Sequence, residues 1–150
     1  MDIHVSSQAM RAMEAAARDT HPDEACGILL GSRLSEADVI TAFVSAKNIH
    51  PAPQTHFEID PQSLIDAHRG ARSGGRQVLG YFHSHPSGEA RPSATDIAMA
   101  ASDGAIWAIY GTVEGAIEAK GIRFYRAPSA FQPRSGDGGF AELFIAEIES

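Results

Sequence analysis

The sequence predicts a single α/β domain in which helices flank a mixed β-sheet. The chain has 150 residues, a common size for one domain and enough to bury a core without disulfides. Segments with helical spacing of apolar residues alternate with short runs of β-branched residues, as in layered α/β domains. Two neighbouring runs, 25–32 and 37–46, are typical of a hairpin, so the sheet is expected to contain antiparallel as well as parallel strands.

The chain is predicted to begin with a helix followed by this hairpin. Residues 6–19 are rich in alanine and carry apolar side chains at helical spacing, and Ser6 or Ser7 can cap the helix. The run 25–32 is short and apolar, which indicates a buried strand. The run 37–46 alternates and is rich in β-branched residues.

A short strand and a second helix follow a proline-containing loop. The strand is predicted at 56–59. Asp60 is expected to cap a helix over 61–73, because Pro61 suits the first helical position. Two glycines end this helix.

The second half of the chain alternates strands with one more helix. The predicted elements are strands at 76–85, 105–113 and 116–127 and a helix at 93–103. The stretch 128–139 is typical of a linker. The pattern at 140–148 fits either a final strand or a short helix.

Composition narrows the class of protein. The net charge of −7 disfavours nucleic-acid binding as the main role, because an acidic surface repels phosphate. Cys26 is the single cysteine, so no internal disulfide is expected, which fits a reducing cytoplasm. The N-terminus lacks the features of a signal peptide, and no apolar run approaches the ~20 residues of a membrane span. We therefore expect a cytoplasmic protein without a membrane or nucleic-acid partner.

The stretch HSHPSGEARPSATD, residues 83–96, carries the clearest chemical signal. His83 and His85 lie two apart at a strand end, so both rings can point to one spot. Asp96 follows in the first turn of the next helix. Two imidazoles and one carboxylate suit zinc and leave a fourth position for water, which is the catalytic arrangement. Iron and manganese also suit such ligands.

A proton shuttle and an oxyanion donor complete the candidate site. Glu24 precedes an apolar strand and is our candidate for general acid/base. Glu89 is closer in sequence but lies in a Gly/Pro loop, where exposure is expected. Ser93 could donate a hydrogen bond to a tetrahedral intermediate, although Ser93 and Asp96 also fit a helix capping box. The two roles are compatible, since the cap could aim Asp96 at the metal.

These residues resemble a known family. HSHP, six further residues and SATD resemble the motif of the JAMM (MPN+) metallopeptidases, and PDEACGILLG and NIHPAPQTHFEIDP are similar to two other family segments. The resemblance covers about residues 1–126 and shows no departure at the motif positions. Residues 127–150 are expected to form a linker and a terminal element packed on the same domain.

The resemblance implies specific roles and a substrate class. It implies His83, His85 and Asp96 as zinc ligands, Glu24 as general acid/base and Ser93 as stabiliser of the intermediate. It also implies a fold related to cytidine deaminases, and cleavage after the C-terminal glycine of a ubiquitin-like protein. Short prokaryotic members of the family look like processors of ubiquitin-like sulfur carriers, some of which release cysteine from the C-terminus of a carrier. This chain resembles those members more than the large eukaryotic ones.

The sequence also allows two other functions. The first is a non-catalytic scaffold of the same fold that binds a ubiquitin-like partner or forms a homodimer; an intact ligand set argues against it. The second is zinc deaminase chemistry, which needs a Pro-Cys-x-x-Cys segment. Cys26 alone cannot supply that pair.

Overall fold

The computed structural model describes residues 2–112, 121–129 and 138–149. These residues form three helices and eight strands. The helices are α1 (Ser7–Thr20), α2 (Pro61–Arg72) and α3 (Ala94–Met99). The strands are β1 (Ile3–Ser6), β2 (Cys26–Arg33), β3 (Asp38–Ala46), β4 (Gln77–His85), β5 (Ile106–Gly111), β6 (Ile122–Arg126), β7 (Ala141–Leu143) and β8 (Ile145–Ile148).

All eight strands belong to one mixed sheet with the order β7-β6-β5-β4-β2-β3-β1-β8. The pairs β1–β3, β1–β8 and β4–β5 are parallel, and the other neighbours are antiparallel. The predicted α/β domain with a mixed sheet is therefore confirmed. β4 is an interior strand between β2 and β5, so an extended substrate chain cannot pair with it directly.

The predicted bounds of the first two helices, the hairpin and β4 agree with the structure to within one residue at each end. Ser6 caps α1, since its Oγ accepts a hydrogen bond from the backbone N–H of Ala9 at 3.1 Å. Asp60 occupies the N-cap position of α2 but makes no side-chain bond to the backbone there. Pro61 at the first position provides the helical φ of α2 instead.

Other expectations differ from the structure. Residues 56–59 do not form a strand; only an isolated bridge joins Asn48 to Ile59. The third helix ends at Met99 rather than at 103.

The C-terminal segment, which the sequence left undecided, forms the two edge strands. β7 pairs with β6, and β8 pairs with β1, which sequence analysis did not predict as a strand. Parts of the predicted 116–127 strand and 128–139 linker lie at 116–120 and 130–137, outside the described residues.

Helices cover both faces of the sheet. α1 packs on one face over a core that includes Met13, Leu79 and Phe82, while α2 contributes Leu64 to a second cluster with Tyr81 on the other face. α3 lies on this second face as well, against β5. In the described part of the chain, no helix is long and apolar enough to cross a membrane.

An irregularity in β4 decides which face receives the histidines. Leu29 of β2 pairs with Gly80 and Leu30 pairs with Val78, so Leu79 has no partner in that ladder. Such a bulge shifts the alternation of side chains by one residue. Val78 and Tyr81 consequently share a face, and the following odd-numbered side chains point towards α2 and α3.

Candidate metal centre and active site

His83 and His85 lie at the end of β4, on the sheet face that α2 and α3 cover. His83 is 1% exposed, and the side chain of His85 is 11% exposed. The ring of His83 stacks on Phe57 with centroids 4.3 Å apart and meets the edge of Trp107 at 5.5 Å. These aromatic rings fix the plane of one imidazole in an apolar setting.

The loop 86–92 between β4 and α3 is held against the sheet and returns the chain to the histidines. A side chain at Gly111 would overlap the backbone of Ala90, so the loop needs glycine at this point of β5. The hydroxyl of Tyr125 donates to the Ala90 carbonyl at 2.7 Å. His85 Nδ1 bonds the carbonyl of Glu89 at 2.8 Å, which orients its Nε2 towards the centre.

Ser93 and Asp96 form a complete capping box at the start of α3. The Oγ of Ser93 accepts from the Asp96 N–H at 3.0 Å, and the Ser93 N–H donates to Asp96 Oδ2 at 2.9 Å. The cap therefore directs the carboxylate of Asp96, which is 5% exposed, back towards β4.

Three ligand-type atoms converge at this point. His83 Nε2 and His85 Nε2 lie 3.0 Å apart, and they lie 3.0 and 3.1 Å from Asp96 Oδ2. Ligands around a tetrahedral zinc ion, at 2.0–2.1 Å from it, are about 3.3 Å from one another. The three atoms are therefore slightly closer to one another than the ligands of zinc, and small shifts of the side chains would admit a small divalent cation.

The charges of His83 and Asp96 suit metal binding. Burial lowers the pKa of His83, although the Asp96 carboxylate opposes this. Burial disfavours ionised Asp96, but hydrogen bonds from both histidines outweigh that cost and hold its pKa well below the usual range. Burial also opposes protonation of His85, yet its bonds to Asp96 and Glu89 raise its pKa. A neutral His83 and an ionised Asp96 are the forms that a metal requires.

Glu24 faces the same point from the loop before β2. A carboxylate oxygen of Glu24 lies within 4.8 Å of ring nitrogens of His83 and His85. The side chain is 5% exposed, and its burial raises the pKa to about 7; His85 lowers it and Asp96 raises it further. Asp96 Oδ2 makes the closer set with the two rings, at 3.0 and 3.1 Å, and Glu24 offers a second carboxylate at the same point.

Two clefts adjoin the centre. One, of about 410 Å³, is lined by Glu24, His85 and Ser93 together with Thr55 and Thr95. The other, of about 450 Å³, lies between α2 and α3 over a mainly apolar floor. Thr55 and Thr95 line both clefts, so a chain bound at the centre has access to each.

The five residues singled out in the sequence, namely Glu24, His83, His85, Ser93 and Asp96, lie together in the structure. The Glu89 side chain is 57% exposed, as expected, and pairs with Arg91 at the rim of the cleft beside Glu24, while the Glu89 backbone carbonyl bonds His85. The sequence analysis did not connect Trp107 with His83, and it assigned no role to Ser84 or Asn48. The only signal for Asn48 was its place in the segment NIHPAPQTHFEIDP, which is similar to a segment of the family.

Comparisons with known proteins agree with this geometry. Residues 6–128 match the family described as prokaryotic homologues of the JAB domain. The chain is 36% identical over 98 residues to a desampylase from Haloferax volcanii, which covers 65% of this chain and 68% of the relative. It is 30% identical over 108 residues to a CysO-cysteine peptidase from Mycobacterium tuberculosis, which covers 72% of each chain.

The architecture also matches a solved structure. The solution structure of a protein from Desulfitobacterium hafniense superposes with a TM-score of 0.81 at 28% identity and covers 99% of this chain and 94% of that one. The sheet and its flanking helices are therefore shared with a solved protein over nearly the whole length.

Proposed function

Since the chain belongs to the family of prokaryotic homologues of the JAB domain, we propose that it is a zinc metallopeptidase that hydrolyses the bond after the C-terminal glycine of a ubiquitin-like protein. The convergence of His83, His85 and Asp96 within 3.1 Å, beside buried Glu24, carries this proposal. Similarity to a desampylase and to a CysO-cysteine peptidase supports a hydrolase. The family that the chain resembles includes members that act on ubiquitin-like sulfur carriers, so such a carrier is a candidate substrate.

The histidines and Asp96 would hold the ion. Nε2 of His83, Nε2 of His85 and Oδ2 of Asp96 supply the donor set that zinc prefers in catalytic sites. When bound, zinc polarises a carbonyl group and makes water a nucleophile near neutral pH.

Glu24 would transfer the proton, and Ser93 would stabilise the negative charge of the intermediate. Water adds to the scissile carbonyl carbon while Glu24 takes its proton, and the hydroxyl of Ser93 donates to the oxyanion that forms. The bond from carbon to nitrogen then breaks, and Glu24 passes the proton to the leaving amine. A pKa near 7 suits a group that must accept and release a proton in one cycle.

The substrate tail would enter through the cleft beside Glu24. β4 is interior to the sheet, so the tail does not add to it as a strand. The cleft is lined by small or polar groups such as Ser87 and Gly88, which suits an extended glycine-terminated tail without bulky side chains at the cleavage point. The apolar cleft between α2 and α3 can then take an apolar side chain from a neighbouring part of the substrate.

We extend the proposal to location and domain organisation. A cytoplasmic location fits the single, buried Cys26. Residues 127–150 are assigned to the same domain as residues 1–126. Pairing of β7 with β6 and of β8 with β1 supports this assignment.

The test uses purified protein and candidate ubiquitin-like carriers extended after their terminal Gly-Gly by cysteine, by a peptide or by an isopeptide-linked lysine. Mass spectrometry identifies the products, and elemental analysis measures bound zinc. We expect cleavage after the last glycine, and Glu24→Gln is expected to retain zinc but lose hydrolysis.

A matched control variant shows whether the loss of hydrolysis in Glu24→Gln is specific to Glu24 or follows from the loss of any carboxylate. Glu36→Gln alters an exposed loop residue and should leave hydrolysis unchanged. Full activity of Glu24→Gln would remove Glu24 from the mechanism. Protein purified without chelators that holds no zinc and cleaves no carrier would instead indicate the non-catalytic scaffold.

A further inference from the structure

The backbone around Glu24 is held from two sides. The Glu24 N–H donates to the Pro53 carbonyl at 2.7 Å, and Asn48 Nδ2 donates to the Glu24 carbonyl at 3.1 Å. The Ala25 N–H donates to Ser84 Oγ at 2.8 Å, and the Ser84 N–H donates to the Ala25 carbonyl at 3.0 Å. Glu24 lies outside any helix or strand, so these bonds determine where its carboxylate stands relative to the histidines.

The hydrogen bonds on the two sides of Glu24 come from different parts of the chain. Ser84 lies between the two histidines on β4 and is 2% exposed, so it ties the Glu24 segment to the strand that carries the imidazoles. Asn48 and Pro53 belong to the loop after β3, which is distant in sequence from β4. The carboxylate and the imidazoles are therefore aligned by a side chain on each flank.

Asn48 is the centre of its loop. Its Nδ2 also donates to the carbonyls of His56 at 3.0 Å and Pro53 at 3.4 Å. Its Oδ1 accepts from the N–H groups of His50 at 3.1 Å and Glu58 at 3.0 Å. One amide side chain thus folds the loop and presents the Pro53 carbonyl that receives the Glu24 N–H.

Asparagine is the residue type that this position needs. A short amide offers two donor hydrogens and an acceptor oxygen. Aspartate would keep the acceptor and the shape, but its second oxygen would face the carbonyls of Glu24 and His56. Alanine would lose the bonds that the Asn48 side chain donates as well as those that it accepts.

We propose that Asn48 is a positioning residue that aligns the carboxylate of Glu24 with the His83–His85–Asp96 centre. The proposal rests on the proposed function in one respect, namely that Glu24 transfers the proton. Asn48 acts through the backbone of Glu24 and contacts no reacting atom. Misplacement of a reacting group by about 1 Å can cost ~100-fold in rate, so loss of this contact is expected to lower kcat.

The first experiment compares Asn48→Asp and Asn48→Ala with the wild-type enzyme on a cleaved carrier. We expect Asn48→Asp to lower kcat by about 10- to 100-fold and to change KM by less than about threefold, since uniform substrate binding is not altered. Bound zinc is expected to stay unchanged. Gln62→Ala, which removes an exposed amide that bonds Asp66, is the control and should match the wild type.

A second readout does not depend on hydrolysis. Hydrogen exchange at the amides of Glu24 and Ala25 is expected to be at least tenfold faster in Asn48→Asp and Asn48→Ala than in Gln62→Ala, while the amide of Phe82 in β4 keeps its protection. This measurement decides the proposal even if none of the chosen carriers is cleaved.

Two results would overturn the proposal. One is unchanged exchange at Glu24 and Ala25 in both Asn48 variants, because Asn48 would then not hold this segment. The other is a higher KM with kcat retained, which would make Asn48 a determinant of substrate binding instead.

Discussion

The proposed function gives Ser93 a catalytic role in addition to its role as a helix cap, and a pair of substitutions distinguishes the two. Its Oγ accepts from the Asp96 N–H and so caps α3. The same hydroxyl carries a hydrogen that can be donated to the oxyanion of the intermediate. The Ser93 N–H still bonds Asp96 Oδ2 in any Ser93 variant other than proline, so Ser93→Ala and Ser93→Gly retain one of the bonds that direct the carboxylate.

The magnitudes of the two effects differ. Loss of the cap in Ser93→Ala costs ~1 kcal/mol of stability, whereas glycine at an N-cap costs only a few tenths. For a chain of this size, ~1 kcal/mol lowers the Tm by about 2–4 °C. A protein with a stability of roughly 5–15 kcal/mol stays almost fully folded after such a loss. Loss of an oxyanion donor, in contrast, lowers kcat by ~10²–10³.

The assay combines thermal denaturation with steady-state kinetics on a cleaved carrier. We expect Ser93→Ala and Ser93→Gly to differ in Tm but to lose the same ~10²–10³ in kcat, and Ser93→Thr to retain most activity. Ser6→Ala is the control, since Ser6 Oγ also accepts from the backbone at the start of a helix, α1, and its hydroxyl donates to the Thr41 carbonyl at 3.3 Å. It should lower Tm by at least as much as Ser93→Ala and leave kcat unchanged.

The reasoning would be refuted by a kcat that stays near the wild-type value in Ser93→Gly. Ser93 would then act only as the cap of α3, and the oxyanion would need another donor.

Three further predictions concern the metal, the carboxylate and the thiol. Zinc at ~100 times its Kd should raise the Tm of the wild type by roughly 5–10 °C, and His85→Ala should abolish that shift and lose zinc by elemental analysis. In chelated protein, burial raises the pKa of Glu24 from 4.5 to about 7, so the stability that neutral Glu24 provides is full below pH 4.5 and is lost as the pH rises through 7. The stability of Glu24→Gln relative to the wild type, measured by urea denaturation, should therefore increase between these values and level off above them; a constant difference would contradict the shift. Cys26 is 1% exposed. Its burial and, to a smaller extent, the charge of Glu24 raise the pKa of its thiol to about 12. It should resist iodoacetamide at pH 8 until the protein unfolds, as mass spectrometry would show, and rapid alkylation of folded protein would contradict this burial.

Sequence patterns were informative where the chemistry is local. The Ser93–Asp96 spacing predicts the capping box because both partners lie within one helical turn. The His-x-His spacing predicts convergence because alternate strand residues share a face. β1 escaped prediction because four residues are too few for a periodic signal, and its partners β3 and β8 are distant in sequence.

The sequence by itself determined the kinds of element and the residue types that can hold a metal and move a proton. Only the tertiary structure decided that the unpaired Leu79 rotates the histidines onto the face of α2 and α3. It also decided that Asn48 and Ser84 hold Glu24. The physical reason is that bulges and bonds to backbone carbonyls depend on which strands and loops become neighbours, and a pattern of side chains along the chain does not encode those contacts.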